Sequence, residues 1–170
     1  MIQKCSLMKV LEVFFKEPTT IHFIREISRE INLAPTSVRN NLNNLLKEKL
    51  IIEKKSNPFD GYIANRDNEE LIFFKKTYNL STLYELKKFI ESSIHPIAIV
   101  MFGSYSRGED VESSDIDILV LSKIKKNINL ENFEKKLERK INLIILKNIN
   151  ELDEIIKKKI NNGIALFGEL

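Results

Sequence analysis

Gly103-Ser104-Tyr105-Ser106-Arg107-Gly108, followed after four intervening residues by Ser113-Ser114-Asp115-Ile116-Asp117-Ile118-Leu119-Val120, sets a turn of small residues beside two carboxylates two residues apart. In an extended strand, residues i and i+2 point to one face, so Asp115 and Asp117 project together with Cα atoms roughly 6–7 Å apart. Carboxylates so placed suit oxygen-seeking cations, which phosphoryl chemistry uses in pairs about 3.5–4 Å apart. Small residues suit a backbone that approaches phosphates closely. Together they point to handling of a nucleoside triphosphate and a metal ion.

The flanking sequence supplies strands for this motif. Ile97-Ala98-Ile99-Val100-Met101-Phe102 is a continuous apolar run of strand length leading into Gly103, and Ile116 to Leu121 continues from the carboxylates. Leu130 to Arg139 predicts an amphipathic helix with Phe133 and Leu137 inside. Leu143 to Leu146 predicts a third strand. Ile149 to Ile160 predicts a closing helix, with Asn161-Asn162-Gly163 as its C-cap and Ile164 to Phe167 as a last strand.

The first half reads differently. Leu7, Val10, Leu11, Phe14 and Phe15 recur at helical spacing, predicting a helix over 3–16 that ends before Pro18. A second helix fits His22 to Ile31, with Thr20 as N-cap, and a third runs from Pro35 or Thr36 to Lys49. Val38, Leu42, Leu45 and Leu46 form the apolar side of that third helix. Its polar side carries Thr36, Ser37, Arg39, Asn40, Asn43, Asn44 and Lys47. Leu50 to Lys55 and Tyr62 to Ala64 read as strands around the turn-rich tip 56–61. Residues 67–93 read as a helical linker: Asn68 to Lys76, a break near Asn79, then Thr82 to Glu91 with a cap at Ser81 or Thr82.

Composition narrows the classes. The chain has 170 residues, 43% hydrophobic and 30% charged, which favours a packed core over disorder. No apolar run approaches the ~18 residues of a membrane span, and residues 1–6 lack a signal-peptide core, so cytoplasmic residence without a membrane is expected. The single Cys5 excludes an internal disulfide or a cysteine zinc cluster, and His22 and His95 read as structural. The net charge of +3 lies entirely in residues 1–80, with 13 Lys/Arg against 10 Asp/Glu; residues 81–170 carry 14 of each.

Arg25-Glu26-Ile27, Thr36-Ser37-Val38-Arg39 and Leu45-Leu46-Lys47-Glu48-Lys49-Leu50-Ile51 resemble winged helix-turn-helix proteins over residues 1–66. The resemblance implies that the third helix enters the major groove of double-stranded DNA and that the hairpin touches its backbone. Arg and Asn pair bidentately with guanine and adenine edges, and Lys49, Lys54 and Lys55 near the wing suit phosphates. The alternative is a solvated helix face used for protein contact.

Residues 94–170 resemble the minimal nucleotidyltransferases of the DNA polymerase β-like superfamily. The likeness rests on Gly103-Ser104, ten intervening residues and Asp115-Ile116-Asp117, with Arg107-Gly108 between and the tail Gly163-Ile164-Ala165-Leu166-Phe167-Gly168. Two acidic residues alone would fit an ordinary polar turn; the Gly-Ser element at this spacing outweighs that reading. The resemblance implies an α/β (α+β) two-domain chain: a winged helix-turn-helix, then a mixed sheet with flanking helices. It implies that Gly103 and Ser104 bind the triphosphate of ATP, and that Asp115 and Asp117 hold Mg²⁺ or Mn²⁺. Arg107 either reaches a phosphate or pairs with Glu109 or Asp110. The family's third carboxylate falls on Asn142, which coordinates through its carbonyl oxygen but brings no charge and no general base. Relatives of this kind transfer AMP to a protein hydroxyl, often beside a HEPN-type partner, as antitoxins. The competing expectation is a transcription regulator whose weakened or inactive site senses nucleotide or binds a partner. Winged-helix regulators commonly dimerise, and 67–93 offers a homodimer interface.

Overall fold

The computed structural model describes residues 5–169. The chain divides into two compact units, Met1–Phe73 and Phe74–Leu170, and the division falls within one helix.

In the first unit, α1 (Ser6–Lys16), α2 (Ile24–Glu30) and α3 (Pro35–Lys47) precede the antiparallel hairpin β1 (Ile51–Lys54) and β2 (Gly61–Ala64). The first two residues of the helix expected over 3–16 lie outside the described residues. The helical spacing of apolar residues has its expected consequence: Val10, Leu11, Phe14 and Phe15 of α1, Ile27 of α2, and Val38, Leu42 and Leu45 of α3 are buried. The second helix begins at Ile24 with Phe23 at its N-cap, rather than at His22 with Thr20. His22 is taken by the hairpin instead. Its N–H donates to Tyr62 O (2.8 Å), and Tyr62 N–H donates back (2.9 Å). Its ring sits edge-on to Phe14, with Nε2 2.9 Å from Glu17 O, a satisfied structural histidine. The third helix stops two residues before Lys49, which adopts φ +56°. Leu50 N–H reaches Leu45 O (2.9 Å) and Lys49 N–H reaches Leu46 O (3.0 Å), a Schellman closure. Side-chain amides of Asn65 (2.8 Å) and Asn68 (3.2 Å) converge on Lys49 O and hold this left-handed lysine where glycine is usual.

Helix α4 (Glu69–Thr82) runs across the division and is followed by α5 (Tyr84–Ile94). The break lies at Leu83, not Asn79. Asn79 is tolerated mid-helix because its amide is satisfied by tertiary partners described below. Ser81 and Thr82 do not cap α5; their hydroxyls donate back to Tyr78 O and Asn79 O, 2.7 Å each.

The second unit is built on a four-stranded sheet in the order β5-β4-β3-β6, from β3 (Ala98–Phe102), β4 (Ile116–Leu121), β5 (Ile141–Leu146) and β6 (Ile164–Phe167). β3 runs antiparallel to β4 and β6, and β4 runs parallel to β5. Two short helices, α6 (Gly103–Arg107) and α7 (Glu131–Leu137), lie between strands, and α8 (Glu154–Asn161) precedes β6. Ile116, Ile118 and Val120 point to the face covered by α5 and α7, where Leu86, Ile90, Ile94 and Phe133 pack. Leu119 and Leu121 point to the opposite face, with Ile156 and Ile160 of α8. The expected helix over 149–160 is interrupted. A 3-10 turn, Ile149–Glu151, is closed by a capping box between Asn148 and Glu151, and α8 starts afresh at Glu154. It ends on Asn162, and Gly163 N–H bonds Ile160 O at 2.8 Å. Among the described residues, no helix is long and apolar enough to cross a membrane.

Candidate active site

Strand period and register bring the motif together. Alternation along β4 turns Asp117 to the Leu119 face, and Asp115, just before the strand, is in phase with it. In the ladders, Phe102 of β3 pairs with Asp117, and Asp117 pairs with Asn142 of β5. The residue after Phe102 is Gly103, at φ +78°. A Cβ there would overlap Asp117 Oδ2. Glycine therefore serves two ends: it adopts the left-handed turn without strain and leaves room for a carboxylate against the backbone.

The turn itself is tightly bonded. Ser106 Oγ donates to Gly103 O (2.8 Å), as does Arg107 Nη1 (3.1 Å). Gly108 closes α6 at φ +74°, and Glu109 N–H returns to Ser104 O at 3.1 Å. Arg107 pairs with Glu109 (Nε to Oε2, 2.7 Å), the second of the two roles open to it from the sequence. Ser104 is half-buried and Asp115 is exposed. Ser114 fixes the turn before Asp115: Val111 N–H donates to its Oγ and its own N–H donates to Val111 O, both at 2.9 Å.

Asn142 lies where the register puts it, with Nδ2 donating to Asp117 Oδ1 at 3.0 Å. An amide here contributes a donor where a carboxylate would contribute charge. A half-turn of the amide presents Oδ1 instead. Among the described residues, no group of three His, Cys, Asp or Glu gathers as a metal cluster. The candidate donors are the carboxylates of Asp115 and Asp117 and, with the amide turned, Asn142 Oδ1, all hard ligands. That suits Mg²⁺, which is commonly held by one or two carboxylates together with substrate phosphates. The space that only glycine leaves beside Asp117 fits the same use.

A network that the sequence reading missed lies behind the turn. Lys75 Nζ reaches Asp110 O (2.5 Å) and Oδ2 (3.2 Å), both side chains being almost wholly buried. Asn79 Nδ2 donates to Asp110 Oδ1 (2.7 Å) and Tyr105 O (2.9 Å). Tyr105 OH shares a 3.0 Å bond with Thr82 Oγ1, and burial pushes its phenol up to about 12. The available signal was phase: Lys75 and Asn79 stand four and eight residues after buried Leu71, on its stripe of α4.

In the first unit, Thr36, Arg39, Asn40, Asn43 and Lys47 are exposed along α3, Ser37 is half-buried, and Lys54 and Lys55 are exposed on the hairpin. Burial raises the Tyr62 phenol first and the Glu53 charge next, while Arg39 opposes them. The Arg39 charge is therefore felt at the hairpin.

Residues 83–166 match the family described as nucleotidyltransferase domain. The second unit accordingly carries a nucleotidyltransferase domain, with the mixed sheet and flanking helices described above. No curated protein matches. Similar solved structures include a mutant of the toxin–antitoxin MntA–HpeT, at 24% identity and TM-score 0.39, covering 50% of this chain and 71% of that one. A candidate nucleotidyltransferase from Sulfolobus solfataricus has 22% identity and TM-score 0.35, over 58% of this chain and 87% of that one. A mutant of Lactococcus lactis ZitR has 14% identity and TM-score 0.39, over 54% of this chain and 63% of that one.

Proposed function

We propose that this chain binds ATP with Mg²⁺ at the end of β3 and β4 and transfers AMP to a hydroxyl of a protein acceptor. The observation that carries the reading is the fit at Gly103, whose bare Cα admits the Asp117 carboxylate beside the turn. In this reading Asp115 and Asp117 hold the metal, which supplies charge neutralisation for the triphosphate and the departing pyrophosphate. Backbone N–H groups at Gly103 and Ser104 position the phosphates. Asn142 accepts no proton, so the acceptor hydroxyl loses its proton to solvent or to a carboxylate supplied by a partner, and turnover by the isolated chain is slow. A HEPN-type protein, suggested by the resemblance of the motif, is the partner and acceptor we favour.

The first unit is read as a winged helix-turn-helix that binds double-stranded DNA. Thr36, Arg39, Asn40 and Asn43 of α3 face base edges, and Lys47, Lys54 and Lys55 neutralise phosphates. The exposure of these side chains supports this assignment. A second reading is favoured by the Asn142 bond to Asp117: a DNA-binding regulator whose nucleotidyltransferase domain binds nucleotide without turnover. Either form is compatible with a homodimer.

Pyrophosphate release with ATP and Mg²⁺ or Mn²⁺, in the presence and absence of a HEPN-type protein, separates the two readings. Turnover lost in Asp115→Ala is the expected result for the enzyme. Tight ATP binding with no release of pyrophosphate under either condition sinks it and leaves the regulator. Electrophoretic shifts across a salt series test the DNA reading; affinity indifferent to salt would exclude a phosphate-driven mode.

A further inference from the structure

We infer that Lys75 and Asn79 are positioning residues for the nucleotide turn: from α4, ahead of the family-matched residues 83–166, they grip Asp110 and thereby fix the segment 103–110. Helix α4 departs from a helix placed by apolar burial alone. Its inward stripe includes Lys75 and Asn79, 3% and 1% exposed, while Phe73 and Leu80 stand 64% and 40% exposed. A buried ion pair is a poor source of stability, since apolar side chains of similar volume commonly do as well or better. Its geometric effect is large, however. Asp110 is held at all three of its oxygens: Oδ1 by Asn79, Oδ2 and the backbone O by Lys75. Asn79 also holds Tyr105 O, in the middle of the segment.

The segment is consequently anchored at both ends, by the β3–β4 ladder at Phe102 and by α4 at Asp110. Glu109, next to the anchored Asp110, donates its N–H to Ser104 O at 3.1 Å, so a shift at Asp110 passes directly to Ser104. Lys75 also neutralises Asp110, which keeps an uncompensated carboxylate away from the turn where phosphates bind. The ligand arm of the test rests on the nucleotide reading above; the exchange arm does not.

The test uses the full chain as wild type, Lys75→Met, Asn79→Ala and the double variant Lys75→Met/Asp110→Asn. Amide hydrogen exchange is followed residue by residue, and ATP with Mg²⁺ is titrated calorimetrically. Each variant should speed exchange in 103–110 at least tenfold while β3 and β4 amides keep their protection, and should weaken ATP about tenfold. Asn79→Ala changes no charge and serves if a charge variant fails to fold. Exchange that rises equally through the sheet overturns the inference, because the residues would then serve stability alone. Recovery of both loop protection and affinity in the double variant also overturns it, because the pair would then only cancel its own charge. A loop that loosens selectively in a chain whose wild type binds no ATP upholds the anchoring and removes the nucleotide reading.

Discussion

Asn142→Asp tests the site reading most directly. In the structure Asn142 Nδ2 lies 3.0 Å from Asp117 Oδ1. Aspartate replaces that donor with a negative oxygen about 3 Å from another. Two unit charges at that separation repel by about 1.4 kcal/mol in water and about 5.5 kcal/mol at an effective dielectric of 20. Asn142 is exposed and Asp117 half-buried, so solvent screening places the cost near the lower limit. Loss of the hydrogen bond adds about 1 kcal/mol. Without divalent ions the unit should therefore lose about 2–3 kcal/mol, a Tm decrease on the order of 10 °C for a domain of about 100 residues. A metal that completes a three-carboxylate site reverses this: at a hundred times its Kd it returns about 2.7 kcal/mol. The assay is calorimetric Tm with and without Mg²⁺, followed by pyrophosphate release. The variant should be less stable than wild type in chelator, near wild type in Mg²⁺, and at least tenfold faster in turnover, since a general base commonly contributes about 100-fold or more. A variant whose stability ignores Mg²⁺ and whose rate is unchanged would refute the placing of residue 142 in the metal and base positions.

Gly103→Ala should lower Mg²⁺-dependent ATP affinity at least tenfold, because the new Cβ displaces Asp117 and the φ of +78° costs about 1–2 kcal/mol; titration calorimetry reads it, and unchanged affinity would separate Asp117 from the site. Tyr105, raised to about 12, is an acid held neutral by folding, so its contribution is complete below pH 10 and lost as pH climbs from 10 to 12. The rise from 10 to about 12 corresponds to at most about 3 kcal/mol of stability. Tyr105→Phe should lose about 1 kcal/mol at neutral pH, for the Thr82 hydrogen bond, and flatten the alkaline decline in urea unfolding. On the DNA side, Lys54→Ala should reduce the salt slope of binding by about one unit, whereas Arg39→Ala should cost about 1–3 kcal/mol on the preferred sequence and relax base preference; equal losses on all sequences would make Arg39 a phosphate contact.

The strands of the second unit were legible as short, predominantly apolar runs, and β3 and β6 were further marked by Pro96, Gly103, Gly163 and Gly168 at their ends. The pairing of Asp117 with Asn142 was legible only by family resemblance, since parallel register is a non-local property. Helix ends failed where tertiary bonds overrode local preference. His22 reads as helical until β2 claims its backbone, and Asn79 reads as a breaker until Asp110 and Tyr105 satisfy its amide. The 3-10 turn at 149–151 hid at the start of the expected helix because Asn148 and Glu151, three residues apart, also form the capping box of an ordinary helix N-terminus. Lys75 was the hardest to see: lysine is almost never fully buried unless paired, and its partner lies 35 residues away.

The charges around the turn bear on which reading of the domain is correct. Arg107 is paired with Glu109, and Lys75 with Asp110, so each of these cations is answered by an acidic residue of the same segment. Asp117 lies against the turn and Asp115 is in phase with it, a pair of carboxylates that repels a bare triphosphate and favours one that carries a divalent cation. Nucleotide binding should consequently be strictly metal-dependent under both readings. They diverge at Asn142. An amide there lowers the negative charge by one relative to three carboxylates; on the enzyme reading this weakens catalysis more than binding, because a metal shared with the phosphates would stay attached through them. On the enzyme reading, such a site turns nucleotide over slowly unless a partner brings a carboxylate. The ratio of turnover with and without the partner therefore measures, in one number, how far the domain depends on a group it does not itself contain.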